Sequence, residues 1–476
     1  MNEQELRVIN RMYVNGEFVR PQGTEEMELI NPANRKVIGK VTLGNEADAL
    51  AAVAAAKTAF TAFSQTTVEE RMDMLLRLRE GIEAKADQFT SNCIEEYGAT
   101  LRVAQARSKL TADFFGMAYD LLQNFAFRET IGRAEVVKEP LGVVAVITPW
   151  NANTSQITAK ISSAIAAGCT MVIKPSEISA IQTDLLAQCI HEAGIPAGVV
   201  NFVNGLGSTV GSALLRHPDV AMISFTGSTK VGQMIYREAA VTMKKVVLEL
   251  GGKSPNLVLD DADLEQAIPR AIMGCFMNNG QACIAGTRLF VPETRIGEVK
   301  AIVRRTLEGL KTGNPWDEDT VIGPLAGAKQ YEQVQRYIRL GLEEGAELIG
   351  GGEGHPEGLE GGYYVKPTVF AGVKPEMTIA REEIFGPVLS ILTYGSEEEA
   401  VAMANDTDFG LGAYIQSGDP ERAMKVASQI AAGVVVINDA GFEMTAPFGG
   451  YKHSGIGREN GVYGVEEFLQ VKSIMR

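Results

Sequence analysis

Long uncharged apolar runs are absent from this chain. No stretch of about 18 apolar residues escapes interruption by a charge, so no membrane span is expected. Positive charge is in deficit: 44 Lys and Arg stand against 59 Asp and Glu in 476 residues, a formal net charge of −15. That balance argues against nucleic acid or an anionic membrane surface as partner. The four histidines (His191, His217, His355, His453) and five cysteines (Cys93, Cys169, Cys189, Cys275, Cys283) are scattered without metal-ligand spacing, so no metal is expected. An odd, sparse cysteine set also argues against a disulfide framework and for a reducing cytoplasm. Met1 to Arg11 is polar and charged, without the apolar core of a signal peptide. Internal repeats and low-complexity domains are lacking too. What is present is ordinary globular composition, 45% apolar and 22% charged, at a length that predicts two or three domains.

Residues 1–45 read as short strands and turns, with a hairpin over 12–19 around Asn15-Gly16. Amphipathic helices are predicted at 46–63, 68–96 and 101–127, and a strand at 135–138. From Leu141 the pattern changes. Apolar strands at 143–147, 171–173, 199–203 and 221–225 alternate with helices at 155–167, 180–193, 208–215 and 229–240. Continuously apolar strands alternating with helices imply a parallel sheet covered on both faces, with ligands at the carboxyl ends of its strands. A second such stretch follows Gly251. Its strands are expected at 256–259, 288–291, 388–393, 412–416 and 434–437, its helices at 263–277, 295–310, 328–344, 396–405 and 419–431. The Gly- and Glu-rich 350–362 reads as a surface loop. Residues 466–474 are strand-like and suited to pair with 135–139. The expected fold class is α/β.

The chain is organised around Asn278-Asn279-Gly280-Gln281-Ala282-Cys283, a small flexible stretch between a helix and a strand. A thiol at such a junction is a strong nucleophile if its pKa is lowered; a lone Cys is more often a small buried hydrophobe. Glu249 stands between Leu248 and Leu250. An edge-strand Glu would have polar neighbours at 247 and 251, which are absent, and a carboxylate in apolar surroundings suits a general base. Asn151, after Pro149-Trp150, is placed either to donate to an oxyanion or to cap the next helix. Three consecutive strand ends carry polar signatures: Lys174-Pro175-Ser176-Glu177, Asn204-Gly205-Leu206-Gly207 and Thr226-Gly227-Ser228-Thr229. Each alone is more often a turn with an N-cap. Together they favour a dinucleotide, with ribose at Lys174 and Glu177 and phosphate at the helix start of Ser228. Glu382-Glu383 is by itself an acidic turn, and the Gly-rich stretch after Pro447 is either a surface turn or a wall of the site.

Trp150-Asn151, Lys174 to Glu177, Phe225 to Ser228, Glu249-Leu250-Gly251-Gly252, Gly280 to Cys283, Glu383-Ile384-Phe385-Gly386-Pro387 and Pro447-Phe448-Gly449-Gly450 occur in an order that resembles the aldehyde dehydrogenase superfamily. The resemblance runs from about Tyr13 to Lys472. It implies Cys283 as nucleophile, Glu249 as general base and Asn151 as oxyanion donor. It also implies a nicotinamide dinucleotide held by Trp150, Lys174, Glu177, Gly207, Gly227, Ser228, Leu250, Glu383 and Phe385. Its architecture is two doubly wound parallel-sheet domains plus a small bridging sheet. Here that means a cofactor domain of 1–117 with 141–250, a catalytic domain of 251–457, and a bridging, oligomerising segment of 118–140 with 458–476. A cytoplasmic homodimer or homotetramer is implied. NAD is expected over NADP, because Glu177 is placed to accept from both ribose hydroxyls and to repel a 2′-phosphate.

Many members carry an aromatic residue and Pro after Trp-Asn, where this chain has Ala152-Asn153-Thr154. A substrate tunnel of Ala152, Gln156, Ala159, Phe442, Glu443 and Phe448 is therefore expected to be wide. It suits an uncharged medium-to-large aliphatic or aromatic aldehyde. The alternatives are an anionic semialdehyde substrate, a CoA-acylating enzyme, a thiol esterase and a silent scaffold. Glu249 argues against CoA acylation, and the intact Cys283, Glu249 and Asn151 argue against a scaffold.

Overall fold

The Asn15-Gly16 hairpin forms as its residues dictate. Both adopt left-handed backbone, φ 55° and 81°, and Tyr13 faces Phe18 across the two strands. The computed structural model to which it belongs describes residues 6–438 and 440–475; the parts of the expected segments at 1–5, 439 and 476 lie outside them. The helix Glu46–Phe63 starts where Asn45 and Asp48 form a reciprocal capping box.

Five central strands of an eight-stranded sheet are parallel. They run in the order Lys245–Glu249, Val220–Thr226, Val143–Ile147, Thr170–Lys174, Val200–Phe202. The chain winds outward from Val143–Ile147 to Val200–Phe202, then crosses back to the other side. The switch point therefore falls between Val143–Ile147 and Val220–Thr226, where an open α/β sheet binds ligands. Alternating side chains enter two cores. Val144, Val146, Met171 and Ile173 join the core on one face, while Val143, Ala145, Ile147 and Val172 join that on the other. The hairpin extends one edge, and Gly455–Ile456 extends the other antiparallel to Lys245–Glu249. Gly455–Ile456 thus joins the first sheet although it lies within the expected segment 251–457.

The second sheet has seven strands, all parallel except Glu347–Gly350, which pairs antiparallel with Thr368–Ala371. It too is buried on both faces. A three-stranded sheet joins Leu469–Met475 to Ala134–Pro140 and then to Arg128–Ile131, with Lys472 opposite Val137, so the late strand pairs where expected. No helix among the described residues is long and apolar enough to cross a membrane.

Several boundaries differ from the periodicity. The helix expected over 68–96 ends at Glu83, resumes over Ala86–Asn92 and closes in a π-helical turn, Cys93–Tyr97. Gly98, at φ 84°, terminates that turn. Leu101–Leu122 stops short of 127, so 118–122 is helical and the bridging strands begin at Arg128. The stretch 458–468 holds the helix Gly461–Glu467. The 208–215 helix splits into a π-turn, Gly207–Gly211, and the helix Ser212–Arg216, because glycines at both ends of the turn weaken the regular hydrogen-bond ladder.

Candidate active site

The nucleophile loop is built on left-handed backbone. Asn278, Asn279 and Gly280 have φ of 56°, 59° and 69°. Asn tolerates that region better than other side chains do. Gly280 is required twice over, since a Cβ there would lie 2.2 Å from the Gly386 carbonyl carbon. Cys93, Cys169, Cys189 and Cys275 are buried, whereas Cys283 is half-buried at the loop's end. The small-hydrophobe role therefore fits the other four and not Cys283.

Asn151 does not cap the following helix; Ala152 occupies that position. The buried Asn151 amide donates instead to the Gln281 carbonyl at 3.0 Å, two residues before Cys283. Glu249 closes its strand at 3% exposure, covered by Gly455–Ile456 rather than lying on an open edge. Both its carboxylate oxygens are buried without a protein hydrogen-bond partner among the described residues. Burial, then the nearby Glu459 carboxylate, push the Glu249 pKa well above its ordinary value; Lys160 and Arg458 pull the other way. Lys160 is itself buried and ion-paired to Glu459. Sequence reading missed this pair, since the two residues stand 299 positions apart. A lysine inside the otherwise uncharged helix Asn153–Ala167 was the one visible signal.

Burial raises the Cys283 thiol to about 12, with Glu383 and Glu249 adding to the shift, while the Cys283 and Ile284 backbone N–H groups oppose it. A lowered pKa, the condition for a strong thiolate nucleophile, is therefore not met in this setting, and the thiol keeps its proton. Glu383 is likewise raised by burial, to about 7, with its Oε1 accepting from the Gly252 N–H at 3.1 Å. Buried Lys253 is lowered to about 7, first by desolvation and then by Arg288.

Apart from Glu383 and Phe385, which precede Val388–Tyr394 of the second sheet, the residues expected to hold a dinucleotide follow the carboxyl ends of the first sheet's strands. Lys174 Nζ donates to Glu177 Oε2 at 3.0 Å, with Lys174 buried and Glu177 half-exposed. Ser228 sits at the N-cap of Thr229–Ala240 without using its hydroxyl as a cap, contrary to the simple capping role. Gly207 and Gly227 lie at the same ends. Leu250 is buried against Gly232, where a Cβ would meet Leu250 Cδ2 at 2.4 Å. Thr148 Oγ1, Asn204 Oδ1 and Thr226 Oγ1 are buried there without protein partners. Such groups are satisfied by ligand or water. Phe385 adopts φ 60° and meets Trp150 edge-to-face at 5.5 Å. A bulky residue held left-handed stores strain of a kind that clusters at functional sites.

A cavity of about 290 Å³ lies against the helix Leu101–Leu122, lined by Phe114, Met117, Leu121, Ala159, Met444 and Val462 among others. Of the six expected tunnel residues only Ala159 lines it. Phe442 and Glu443 are solvent-exposed, and Glu443 Oε1 accepts from the Thr445 hydroxyl and N–H. Ala152, Gln156 and Phe448 do not line this cavity either. Met444, next to Glu443 in the chain, lines it, as does the helix wall at Phe114 and Met117, because loop packing sets which side chain turns inward.

The aldehyde dehydrogenase family profile matches residues 18–474. The chain is 47% identical over 472 residues to a 3-succinoylsemialdehyde-pyridine dehydrogenase of a Pseudomonas species, covering 99% of each. It is 45% identical to a mutant aldehyde dehydrogenase C of Pseudomonas syringae solved with NAD+ and octanal, at TM-score 0.98 over 99% of this chain and 98% of that one. A Mycobacterium tuberculosis aldehyde dehydrogenase complexed with NAD+ is 38% identical at TM-score 0.96, with 99% of each chain covered.

A thiol held near 12 is thiolate only above that value, so well below it each pH unit removes about nine-tenths of the reactive form. Alkylation of Cys283 in the ligand-free protein is therefore expected to rise roughly tenfold per unit from pH 7 to 10. Iodoacetamide labelling mapped by mass spectrometry checks this, and a plateau below pH 9 would show a thiolate held by the fold.

Proposed function

Since the chain belongs to the aldehyde dehydrogenase family, we propose that it oxidises an uncharged, medium-to-large aldehyde to its carboxylic acid, with NAD as the hydride acceptor. The observation that carries this reading is the meeting of three groups. The Asn151 amide is fixed on the Gln281 carbonyl two residues before the half-buried Cys283, and Glu249, its carboxylate unpartnered among the described residues, lies near enough to raise the Cys283 thiol.

Cys283 gives its thiol proton to solvent water and, as the thiolate, adds through Sγ to the aldehyde carbon. The developing alkoxide accepts from Asn151 and from the Cys283 N–H, donors whose placement precedes the charge. NAD, when bound, supplies the acceptor for the hydride that leaves the thiohemiacetal carbon. The thioester left on Cys283 is hydrolysed by water that gives its proton to Glu249. A carboxylate with a raised pKa holds that proton well. Hydrolysis makes the overall reaction nearly irreversible and argues against thiol transfer to CoA; a plain thiol esterase would have no use for the polar strand ends.

Lys174 and Glu177 would hold the adenosine ribose, Ser228 with Gly207 and Gly227 the diphosphate, and Glu383 the second ribose beside Trp150, Phe385 and Leu250. The orphaned Thr148, Asn204 and Thr226 oxygens at those strand ends fit a polar ligand. The segments 1–117 with 141–250, 251–457, and 118–140 with 458–476 are read as cofactor, catalytic and bridging parts. The exposed Val471 and Met475 on the bridging sheet support a homodimer or homotetramer. Free, mostly buried cysteines fit the cytoplasm.

The cavity beside Ala159 supports the substrate class. Asp120 is the one charged residue lining it, and it continues outward through Leu121 and Val462 to a second recess near Phe125 and Lys138. Lys138 is ion-paired to Glu466 at 2.6 Å, leaving little positive charge to attract an anionic tail. The relatives crystallised with octanal or named for a pyridine-bearing semialdehyde agree with a bulky uncharged substrate.

Three outcomes are expected. Glu249→Gln should slow deacylation by about 10²–10⁴-fold while leaving hydride transfer largely intact. Rapid mixing should then show a burst of NADH before a slow phase, and a trace without a burst would count against Glu249 as base. NAD should exceed NADP in kcat/KM, because a 2′-phosphate beside Glu177 meets like charge at a cost of about 1–4 kcal/mol at 4 Å. Equal constants would mean that Lys174 compensates. Across acetaldehyde to octanal, kcat/KM should climb by up to roughly fourfold per added CH₂, the equivalent of about 0.8 kcal/mol. Benzaldehyde should be accepted, and succinic semialdehyde ranking first in the same steady-state series would sink the tunnel reading.

A further inference from the structure

We infer that Tyr97 and Gln281 form a positioning pair that holds Asn151 and Cys283 in register for the reaction; this rests on Cys283 being the nucleophile. Gln281 is fully buried and Tyr97 nearly so. The Gln281 side chain is held at both ends. Its Nε2 donates to the Tyr97 hydroxyl at 3.0 Å, and its Oε1 accepts from the Ala326 N–H at 3.0 Å. Its carbonyl accepts from Asn151 Nδ2 at 3.0 Å and from Asn278 Nδ2 at 2.8 Å. The orientation of the Asn151 amide therefore follows from the orientation of the Gln281 peptide, and the side-chain lock fixes that peptide.

The loop needs external support. Three consecutive left-handed residues, two of them not glycine, persist only when their surroundings over-determine them. The support comes from the π-turn Cys93–Tyr97 and the Gly98 that ends it. The Tyr97 hydroxyl also donates to the Asn278 carbonyl at 3.4 Å. Asn279 Nδ2 donates to the carbonyls of Gly98 and Pro324 at 3.1 and 2.9 Å, and its Oδ1 accepts from the Gly323 N–H at 2.7 Å. The hydrogen bonds of this strap run mostly between buried neutral groups, with the Arg107 guanidinium beside the Tyr97 hydroxyl as the charged exception, so a lost one leaves a buried polar group unsatisfied. Burial also pushes the Tyr97 phenol up, keeping it a neutral hydroxyl at working pH.

Space filling is the competing role for Tyr97. Its ring packs 6.0 Å from Trp150 with the Arg107 guanidinium over it at 4.9 Å. Tyr97→Phe keeps those contacts and removes the hydroxyl alone, so it separates the two roles. We expect kcat to fall about tenfold in Tyr97→Phe, with KM for aldehyde and Kd for NAD unchanged within about twofold. Gln281→Leu should lose at least as much. Adding Tyr97→Phe to Gln281→Leu should cost no more than Gln281→Leu alone, because the pair acts as one unit. Tm and the iodoacetamide rate at Cys283 are measured on each variant. A normal kcat in Tyr97→Phe, with or without a lower Tm, would reduce Tyr97 to a structural role and overturn the inference. So would additive losses in the double variant. Cys283→Ala, assayed in parallel, keeps the readings apart. Its turnover surviving would remove the nucleophile assignment itself, while an inactive Cys283→Ala beside a fully active Tyr97→Phe would remove only the positioning pair.

Discussion

The site depends on a steric constraint at Gly251-Gly252, where the backbone leaves the first sheet for the second. A Cβ on Gly251 would lie 2.3 Å from Glu383 Oε2, and one on Gly252 would lie 2.4 Å from the Cys283 carbonyl oxygen. No side chain fits between those groups. The close approach brings the end of Lys245–Glu249 beside the nucleophile loop and lets the Gly252 N–H hold Glu383. Glu249, Cys283 and Glu383, drawn from far apart in the sequence, come near one another because two adjacent residues have no side chains.

The cleft that results favours uncharged forms. Burial raises Cys283, Glu249 and Glu383 and lowers Lys253, all toward neutrality. The donors, by contrast, are fixed beforehand on backbone carbonyls and amides. Such a site spends little on reorganising itself when charge develops on the substrate, which is the condition for effective electrostatic stabilisation.

Much of this was legible in the residues. The continuously apolar strands announced buried parallel sheets, and the Asn15-Gly16 turn marked its hairpin with the residue types it demands. Leu-Glu-Leu revealed a buried carboxylate. Long-range pairing was not legible: Lys160 with Glu459 and Tyr97 with Gln281 are made by contacts across 299 and 184 positions. The break after Glu83 and the π-turn at Cys93 answer to packing beneath a still-amphipathic pattern, so periodicity ran through them. Which of Phe442, Glu443 and Met444 turns inward was not legible, because an irregular loop has no period to fix its facing. The thiol's pKa was not legible, since a sequence shows neighbours along the chain and not which carboxylates stand beside a buried sulfur.

Gly455–Ile456 roofs the Glu249 strand, and Ser454 Oγ donates to the Gly251 carbonyl at 2.7 Å across 203 positions. During synthesis the parallel strands of the first sheet can assemble long before that roof emerges from the ribosome, since domains tend to fold as their residues appear. Until then the Lys245–Glu249 edge is unpaired and the carboxylate is wet, with an ordinary acidity and no claim on a proton. A nascent chain of this kind can hold its first parallel sheet in place while the surroundings of Glu249 stay unformed. The burial of that carboxylate is therefore a late event in the life of each molecule, timed by when a two-residue strand arrives.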